Sequence, residues 1–132
     1  MTDSTEKELL QRTERLLDSI ANADWATYEQ LCDPSLSAFE PEGRGHLIEG
    51  LDFHRYYFAL GPSSSPRNTT IAASHVRLMG DVAVVAYVRL VQSILEGGKT
   101  VTTAFEETRV WQRQASGWRH VHFHRSPCTP AN

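Results

Sequence analysis

The sequence predicts an α+β domain in which a curved antiparallel sheet wraps into a cone around helices that precede it. Up to about residue 65 the apolar residues recur at helical spacing, and beyond it they follow the period of strands. Short segments containing glycine separate the later runs, as in a meander of hairpins. The 132 residues have room for one core, so we predict a single domain over 1–132.

Two helices are predicted before residue 32. The first has an apolar stripe that includes Leu9, Leu16 and Ile20, with Glu and Arg residues on the opposite side. Asn22 and Asp24 can cap a short second helix, because their side chains accept hydrogen bonds from free N–H groups of a first turn. Both helices are amphipathic and therefore have a face to bury against a sheet.

The segment that follows predicts two short strands and a third helix. The strands are expected at Leu36 to Glu40 and at His46 to Glu49, with a turn that starts at Pro41 between them. Asp52 can cap the third helix. The run from Gly61 to Pro66 is rich in glycine, serine and proline, which indicates an exposed loop.

Four long strands are predicted in the second half. They are Thr69 to Met79, Val82 to Leu95, Thr100 to Arg113 and Trp118 to Arg125. The separators contain Gly80, Gly97 and Gly117, and glycine readily supplies the positive φ that tight hairpin turns need. We therefore expect an antiparallel meander, followed by a flexible tail over about 126–132.

The strand around Val82 to Val91 is apolar on both of its faces. A strand with one wet face alternates between apolar and polar residues, so this one is expected to be covered twice, by its own helices and by a partner subunit. The alternative is that the additional valines reflect only the strand propensity of β-branched residues.

Composition and charge argue against several classes of protein. Thirteen Lys and Arg against sixteen Asp and Glu give a net charge of -3, which does not favour nucleic-acid binding. The longest apolar run, Val82 to Val88, is too short to cross a membrane, which needs roughly 20 residues. Cys32 and Cys128 are far apart, and no secretory signal is visible. We therefore predict free thiols and a cytoplasmic location.

No motif for a nucleotide, a nucleophilic serine or a metalloprotease occurs, so no cofactor and no metal are predicted. His120, His122 and His124 alternate along the last strand and should share one face, where a further ligand would be needed to hold zinc. We interpret them as ordinary interface or surface residues. Glu107 shares a face with Arg109, and a carboxylate beside a guanidinium group makes a poor base.

Three arginines stand among apolar or aromatic neighbours on three successive strands: Arg89, Arg109 and Arg125. A single arginine so placed usually pairs with one buried acid or extends to solvent. Three of them on one curved sheet can instead converge and bind an anion. Either an acid of the same chain or an acidic ligand should then fill the site.

Four segments closely resemble the association, or hub, domain of calcium/calmodulin-dependent protein kinase II. They are CDPSLSAFEPEGRGHLIEGLDFHRYYF (Cys32 to Phe58), AYVRLVQ (Ala86 to Gln92), EETRVWQR (Glu106 to Arg113) and GWRHVHFHRS (Gly117 to Ser126). The resemblance runs in order from about Thr5 to Ser126. The loop from Ala59 to Pro66 is shorter than that of the family and lacks the tryptophan often present there.

The resemblance implies a cone-shaped fold of the nuclear transport factor 2-like type. It also implies self-assembly into stacked rings of dimers, usually dodecamers or tetradecamers. His54, Arg89, Arg109 and Arg125 align with pocket residues that hold small carboxylates in the hub, so a small carboxylate or an acidic peptide is the expected ligand. The alternative is a small-molecule enzyme of the ketosteroid isomerase or polyketide cyclase kind, which uses the same cone.

Overall fold

The computed structural model of the protein describes residues 2–63 and 67–128. Within these ranges the chain forms three α-helices, six β-strands and one short 3-10 turn at Pro41–Gly43. The elements are α1 (Thr2–Ala21), α2 (Trp25–Leu31), β1 (Cys32–Phe39), β2 (Ile48–Glu49), α3 (Asp52–Ala59), β3 (Arg67–Met79), β4 (Val82–Ile94), β5 (Thr100–Gln114) and β6 (Gly117–Pro127). The predicted α+β class is confirmed.

The sheet has the strand order β2-β1-β6-β5-β4-β3. The meander from β3 to β6 is antiparallel, as predicted, but β1 pairs with β6 in parallel. The prediction of a wholly antiparallel sheet is therefore wrong at this one pair. Alternation of apolar residues identifies a strand, whereas its direction in the sheet depends on the path of the chain between distant strands.

The helix boundaries follow the predicted caps only in part. Asp24 precedes α2 and accepts hydrogen bonds from the backbone N–H of Thr27, at 3.2 Å, and from its hydroxyl, at 2.7 Å. Asp52 was expected to cap α3, but it is the first residue of that helix and Leu51 occupies the cap position without a side-chain bond. Asp52 can still favour α3 through its negative charge in the first turn.

A bulge in β6 changes which side chains face the helices. His122 pairs with Val110 and His120 with Trp111, so Val121 is an additional residue on the β6 side. His120 is consequently fully buried beside Trp111, while His124 is exposed. The prediction that His120, His122 and His124 share one face is wrong, because strict alternation does not continue through a bulge.

The hydrophobic core lies between the helices and one face of the sheet, which we call the inner face. Leu9, Leu16 and Leu17 of α1 are buried there, as are Ala83 and Val85 of β4. On the opposite, outer face of β4, every second residue from Val82 to Leu90 is only partly buried. The second apolar face predicted for this strand is therefore only partly covered by the described part of the chain.

The predicted C-terminal tail and the predicted loop from Gly61 to Pro66 are only partly described by the structure. β6 continues past Arg125 to Pro127, and the backbone N–H of Cys128 donates to the carbonyl of Ala104 at 2.9 Å. The tail was expected from about residue 126, but 126 and 127 belong to β6. The rest of that prediction, 129–132, lies outside the described residues, as do 64–66 of the predicted loop. Among the helices that the structure describes, none combines the length and apolar character of a membrane span.

Candidate functional site: a cavity lined by arginines

A cavity of about 680 Å³ opens between the inner face of the sheet, α3 and the 3-10 turn. His54, Arg89, Arg109 and Arg125, the four predicted site residues, all line it. Its remaining walls combine aromatic rings with aliphatic side chains of α1 and of the β4 and β5 strands. The structure therefore brings together residues that are up to about seventy positions apart in the sequence.

Strand register explains the convergence of the arginines. Glu107 of β5 lies opposite Tyr87 of β4 on one side and opposite Arg125 of β6 on the other. Arg89 and Arg109 lie two residues from Tyr87 and Glu107 along their strands, so their side chains point to the same face. The inner face thus carries a compact group of charged side chains at the centre of the meander.

Four of these side chains form a network at the base of the cavity, which we call the inner network: Tyr87, Arg89, Glu107 and Arg109. Glu107 lies 2.9 Å from the Nε of Arg89 and 3.0 Å from the Nη2 of Arg109. The Tyr87 hydroxyl donates to Glu107 at 2.6 Å and accepts from the Nε of Arg109 at 2.7 Å. Glu107 and Arg109 are almost fully buried, so each needs the other as a counter-charge.

The inner network keeps Glu107 ionised. Burial by itself raises the pKa of Glu107, but the guanidinium groups of Arg109 and Arg89 and the Tyr87 hydroxyl outweigh it and hold that pKa below its ordinary value. Burial also raises the pKa of Tyr87, to about 12. Glu107 is therefore a counter-ion at neutral pH and a poor proton acceptor, as the sequence predicted.

Two further ion pairs connect charged groups of the cavity wall. Glu42, in the 3-10 turn, accepts hydrogen bonds from the Nη2 of Arg125 on both of its carboxylate oxygens. Glu40 lies 3.1 Å from the Nε2 of His54, and both side chains are almost completely buried. Acids of the same chain thus pair with all four predicted site residues in this structure, which is one of the two possibilities that the sequence left open.

Aromatic rings hold the guanidinium groups in place. Arg89 and Arg125 lie 5.4 Å and 4.8 Å from the ring centre of Phe105. Arg109 lies 4.5 Å from the ring centre of Phe123. Distances in this range give favourable cation–π contacts. Arg89 and Arg125 therefore share one aromatic ring as a contact.

His120 lies behind Arg109, in the core. Its Nε2 is 3.4 Å from the Nη1 of Arg109 and its Nδ1 is 3.5 Å from the thiol sulfur of Cys32. Arg109 is a donor only, so Nε2 accepts and Nδ1 carries the proton. Burial and the charge of Arg109 hold the pKa of His120 well below its ordinary value. Burial also raises the pKa of Cys32 to about 12, so this thiol is not a nucleophile.

Sequence reasoning missed Tyr87 and the two acids of the turn region, Glu40 and Glu42, as partners of the predicted site. Tyr87 could have been predicted as a partner of the site, because it shares a strand face with Arg89 two residues away. Nothing local in the sequence indicates the ion pairs of Glu40 and Glu42. Among the described residues, no group of three or more His, Cys, Asp or Glu side chains is arranged to hold a metal ion.

Comparison with known proteins indicates the same family as the four sequence segments do. The family model of the calcium/calmodulin dependent protein kinase II association domain matches residues 5–129. The delta subunit of calcium/calmodulin-dependent protein kinase type II from Oryctolagus cuniculus is 46% identical over 94% of this chain. The chain spans only 26% of that relative's length.

Solved structures agree on the fold. The hub homology domain of this kinase from Chlamydomonas reinhardtii is 46% identical, with a TM-score of 0.88 over 95% of this chain and 99% of that one. A nuclear transport factor 2-like protein from Salmonella enterica has a TM-score of 0.80 at 24% identity, over 100% of this chain and 96% of that one. The fold is thus nuclear transport factor 2-like, and the chain belongs to the calcium/calmodulin-dependent protein kinase II association domain family.

Proposed function

We propose that this chain is a non-enzymatic hub that assembles with copies of itself into a closed ring of dimers, a dodecamer or a tetradecamer. Membership of the association domain family supports the proposal. The observation that carries it is the outer face of β4, where Val82, Val84 and Val88 are only partly buried by their own chain. A second copy can remove this apolar surface from water, and a closed symmetric assembly removes it on every subunit.

The assembly is tested by native mass spectrometry and by light scattering after size exclusion at micromolar concentration. We expect one large species whose mass is an even multiple of the 14.9 kDa chain. A monomer would overturn the proposal of self-assembly. A dimer that does not associate further would overturn the ring.

The proposed function also includes a ligand for the cavity, a small carboxylate or an acidic peptide. The convergence of His54 with Arg89, Arg109 and Arg125, and the rings that orient these arginines, support it. A guanidinium group can bind a carboxylate through two parallel hydrogen bonds. The residues that bind the ligand remain a prediction, as does a cytoplasmic location.

Ligand binding is tested with hexanoate, whose tail suits the aliphatic walls, and with hexanamide as the uncharged counterpart. We expect hexanoate to raise the melting temperature of the protein by mass action and hexanamide to have a much smaller effect. Arg125→Ala should abolish the stabilisation. Arg113→Ala is the matched control, because Arg113 pairs with Asp81 outside the cavity. Equal responses of both variants would contradict the role of Arg125.

An isomerase or cyclase on the same fold needs an acid or base in the cavity that can exchange a proton near neutral pH. Glu107 has a lowered pKa and is held by three partners. His120 has a strongly lowered pKa and is fully buried. Neither group favours the enzymatic alternative, and membership of the association domain family supports the hub.

A further inference from the structure

We propose that Glu42 is a built-in competitor for the cavity, whose carboxylate occupies the position on Arg125 that a carboxylate ligand would take. The inference rests on the proposed ligand and adds to it a regulatory residue. Glu42 would set the affinity of the cavity by having to leave before a ligand can bind. We call the Glu42 side chain in this position the plug, because it occupies the site on Arg125 until it moves away.

The carboxylate of Glu42 already lies against Arg125 in the wall of the cavity. Both of its oxygens accept hydrogen bonds from the Nη2 of Arg125, and the guanidinium groups of Arg125 and Arg89 both contact the ring of Phe105. Glu42, Arg89, Phe105 and Arg125 all line the cavity. An anion placed here relieves the repulsion between the two guanidinium groups. Glu42 performs this role without any ligand.

Exposure distinguishes Glu42 from the acid at the base of the cavity. The Glu107 side chain is 0% exposed, and Tyr87, Arg89 and Arg109 all contact it. The Glu42 side chain is 36% exposed, whereas that of its partner Arg125 is only 13% exposed. Glu107 is therefore a permanent counter-ion. Glu42 can exchange Arg125 for water, and a ligand can take its place.

The backbone around Glu42 does not need to unfold for this exchange. The N–H of Gly43 donates to the carbonyl of Glu40 at 3.0 Å, and that of Arg44 donates to the carbonyl of Pro41 at 3.1 Å. These bonds hold the turn independently of the Glu42 side chain. Rotation of that side chain into solvent is then sufficient to open the position on Arg125.

The expected effect on affinity is modest, since a partly exposed ion pair contributes little to stability. Removing the charge of Glu42 should tighten carboxylate binding by about fivefold, the factor that corresponds to the upper end of measured surface ion pairs. Glu42→Gln keeps the size of the side chain and removes only its charge. Glu49→Gln is the matched control, because Glu49 is exposed on β2 and does not line the cavity.

The test titrates hexanoate into the assembled parent protein, Glu42→Gln and Glu49→Gln by calorimetry at equal ionic strength. We expect tighter binding in Glu42→Gln and the parent affinity in Glu49→Gln. Equal affinities in all three proteins would overturn the plug and leave the ligand intact. An equal gain in both variants would also overturn it, because net charge alone would then explain the change.

A second measurement needs no ligand. Phenylglyoxal modifies accessible guanidinium groups, and mass spectrometry of peptides gives the rate at Arg125. Glu42→Gln should raise that rate severalfold, and Glu49→Gln should not. If hexanoate binds none of the proteins, the proposed ligand fails, and the labelling rate alone decides on Glu42. An unchanged rate at Arg125 in Glu42→Gln overturns the inference.

Discussion

Glu107 is the counter-ion of both arginines of the inner network, Arg89 and Arg109. Its carboxylate contacts Arg89, Arg109 and Tyr87, and it has no exposed surface. Glu107→Gln should lower the free energy of unfolding by about 3 to 5 kcal/mol, the usual cost of removing one partner from a buried ion pair. Denaturant unfolding of the variant measures this loss.

The control for Glu107 is its neighbour on the strand. Glu106 is exposed, so Glu106→Gln makes the same change of charge outside the inner network and should change the free energy of unfolding by less than about 0.5 kcal/mol. A similar, small loss in both variants would mean that Arg109 finds its counter-charge elsewhere.

His120 should make the stability of the protein depend on pH. Its folded-state pKa lies well below the ordinary value of about 6.5. As the pH falls below that value, His120 therefore binds a proton in the unfolded chain but stays neutral in the folded chain. The stabilisation is fully present above the ordinary pKa and is lost as the pH falls below it. Between pH 7 and pH 5.5 the free energy of unfolding should fall on the order of 1 kcal/mol through this residue.

The pH dependence is measured by denaturant unfolding at several pH values in the parent and in two variants. His120→Asn should flatten the slope between pH 7 and pH 5.5. His46→Asn should retain it, because His46 is exposed in the loop before β2. A slope that persists unchanged in His120→Asn would show that another group binds the proton.

The residues of the site were predictable where the strand period alone places them. Arg89, Arg109 and Arg125 converge because each shares the inner face of a hairpin meander. The partners Glu40 and Glu42 were not predictable. They approach the cavity only because β1 joins the sheet beside β6, a pairing between strands far apart in the sequence.

Among the elements, α2 depends most visibly on one cap. Asp24 accepts two hydrogen bonds from Thr27, and these also lower the pKa of Asp24. Asp24→Ala should lower the melting temperature, because the first turn of α2 loses its cap. Thermal unfolding checks this. Glu14→Ala, an exposed acid within α1, should leave stability nearly unchanged, and an equal loss there would contradict the role of the cap.

The boundaries of β3 to β6 agree closely with the sequence, because long alternating runs and glycine turns are strong local signals. β1 was predicted to begin at Leu36, whereas it begins at Cys32 and contains Pro34. Proline is disfavoured inside a strand, but here it lies where the pairing of β1 with β6 is interrupted. The bulge at Val121 has no comparable signal in the sequence.

For the whole molecule, the outer face of β4 should decide the oligomeric state. Val84 lies in the middle of this face and is only partly buried. Val84→Lys should leave the chain folded but convert the large assembly into smaller species, because a lysine charge is costly at an apolar interface. Light scattering measures the mass, and circular dichroism confirms that the variant is folded.

Gln11→Lys on the exposed side of α1 is the control for Val84, and it should keep the parent mass. A folded Val84→Lys protein with the parent mass would show that subunits meet through another surface. Dissociation of both variants would show that added positive charge alone weakens the assembly.

The parallel pairing of β1 with β6 also has a consequence for the order in which the chain folds. Cys32 contacts His120 across 88 positions of sequence, and β6 lies between β1 and β5 in the sheet. During synthesis, β1 emerges long before its neighbour β6. Until β6 is made, the two residues of β2 are the neighbour with which β1 can pair. Closing so long a loop is slow. We therefore expect the pairing of β6 with β1 on one side and β5 on the other to be a late step of folding.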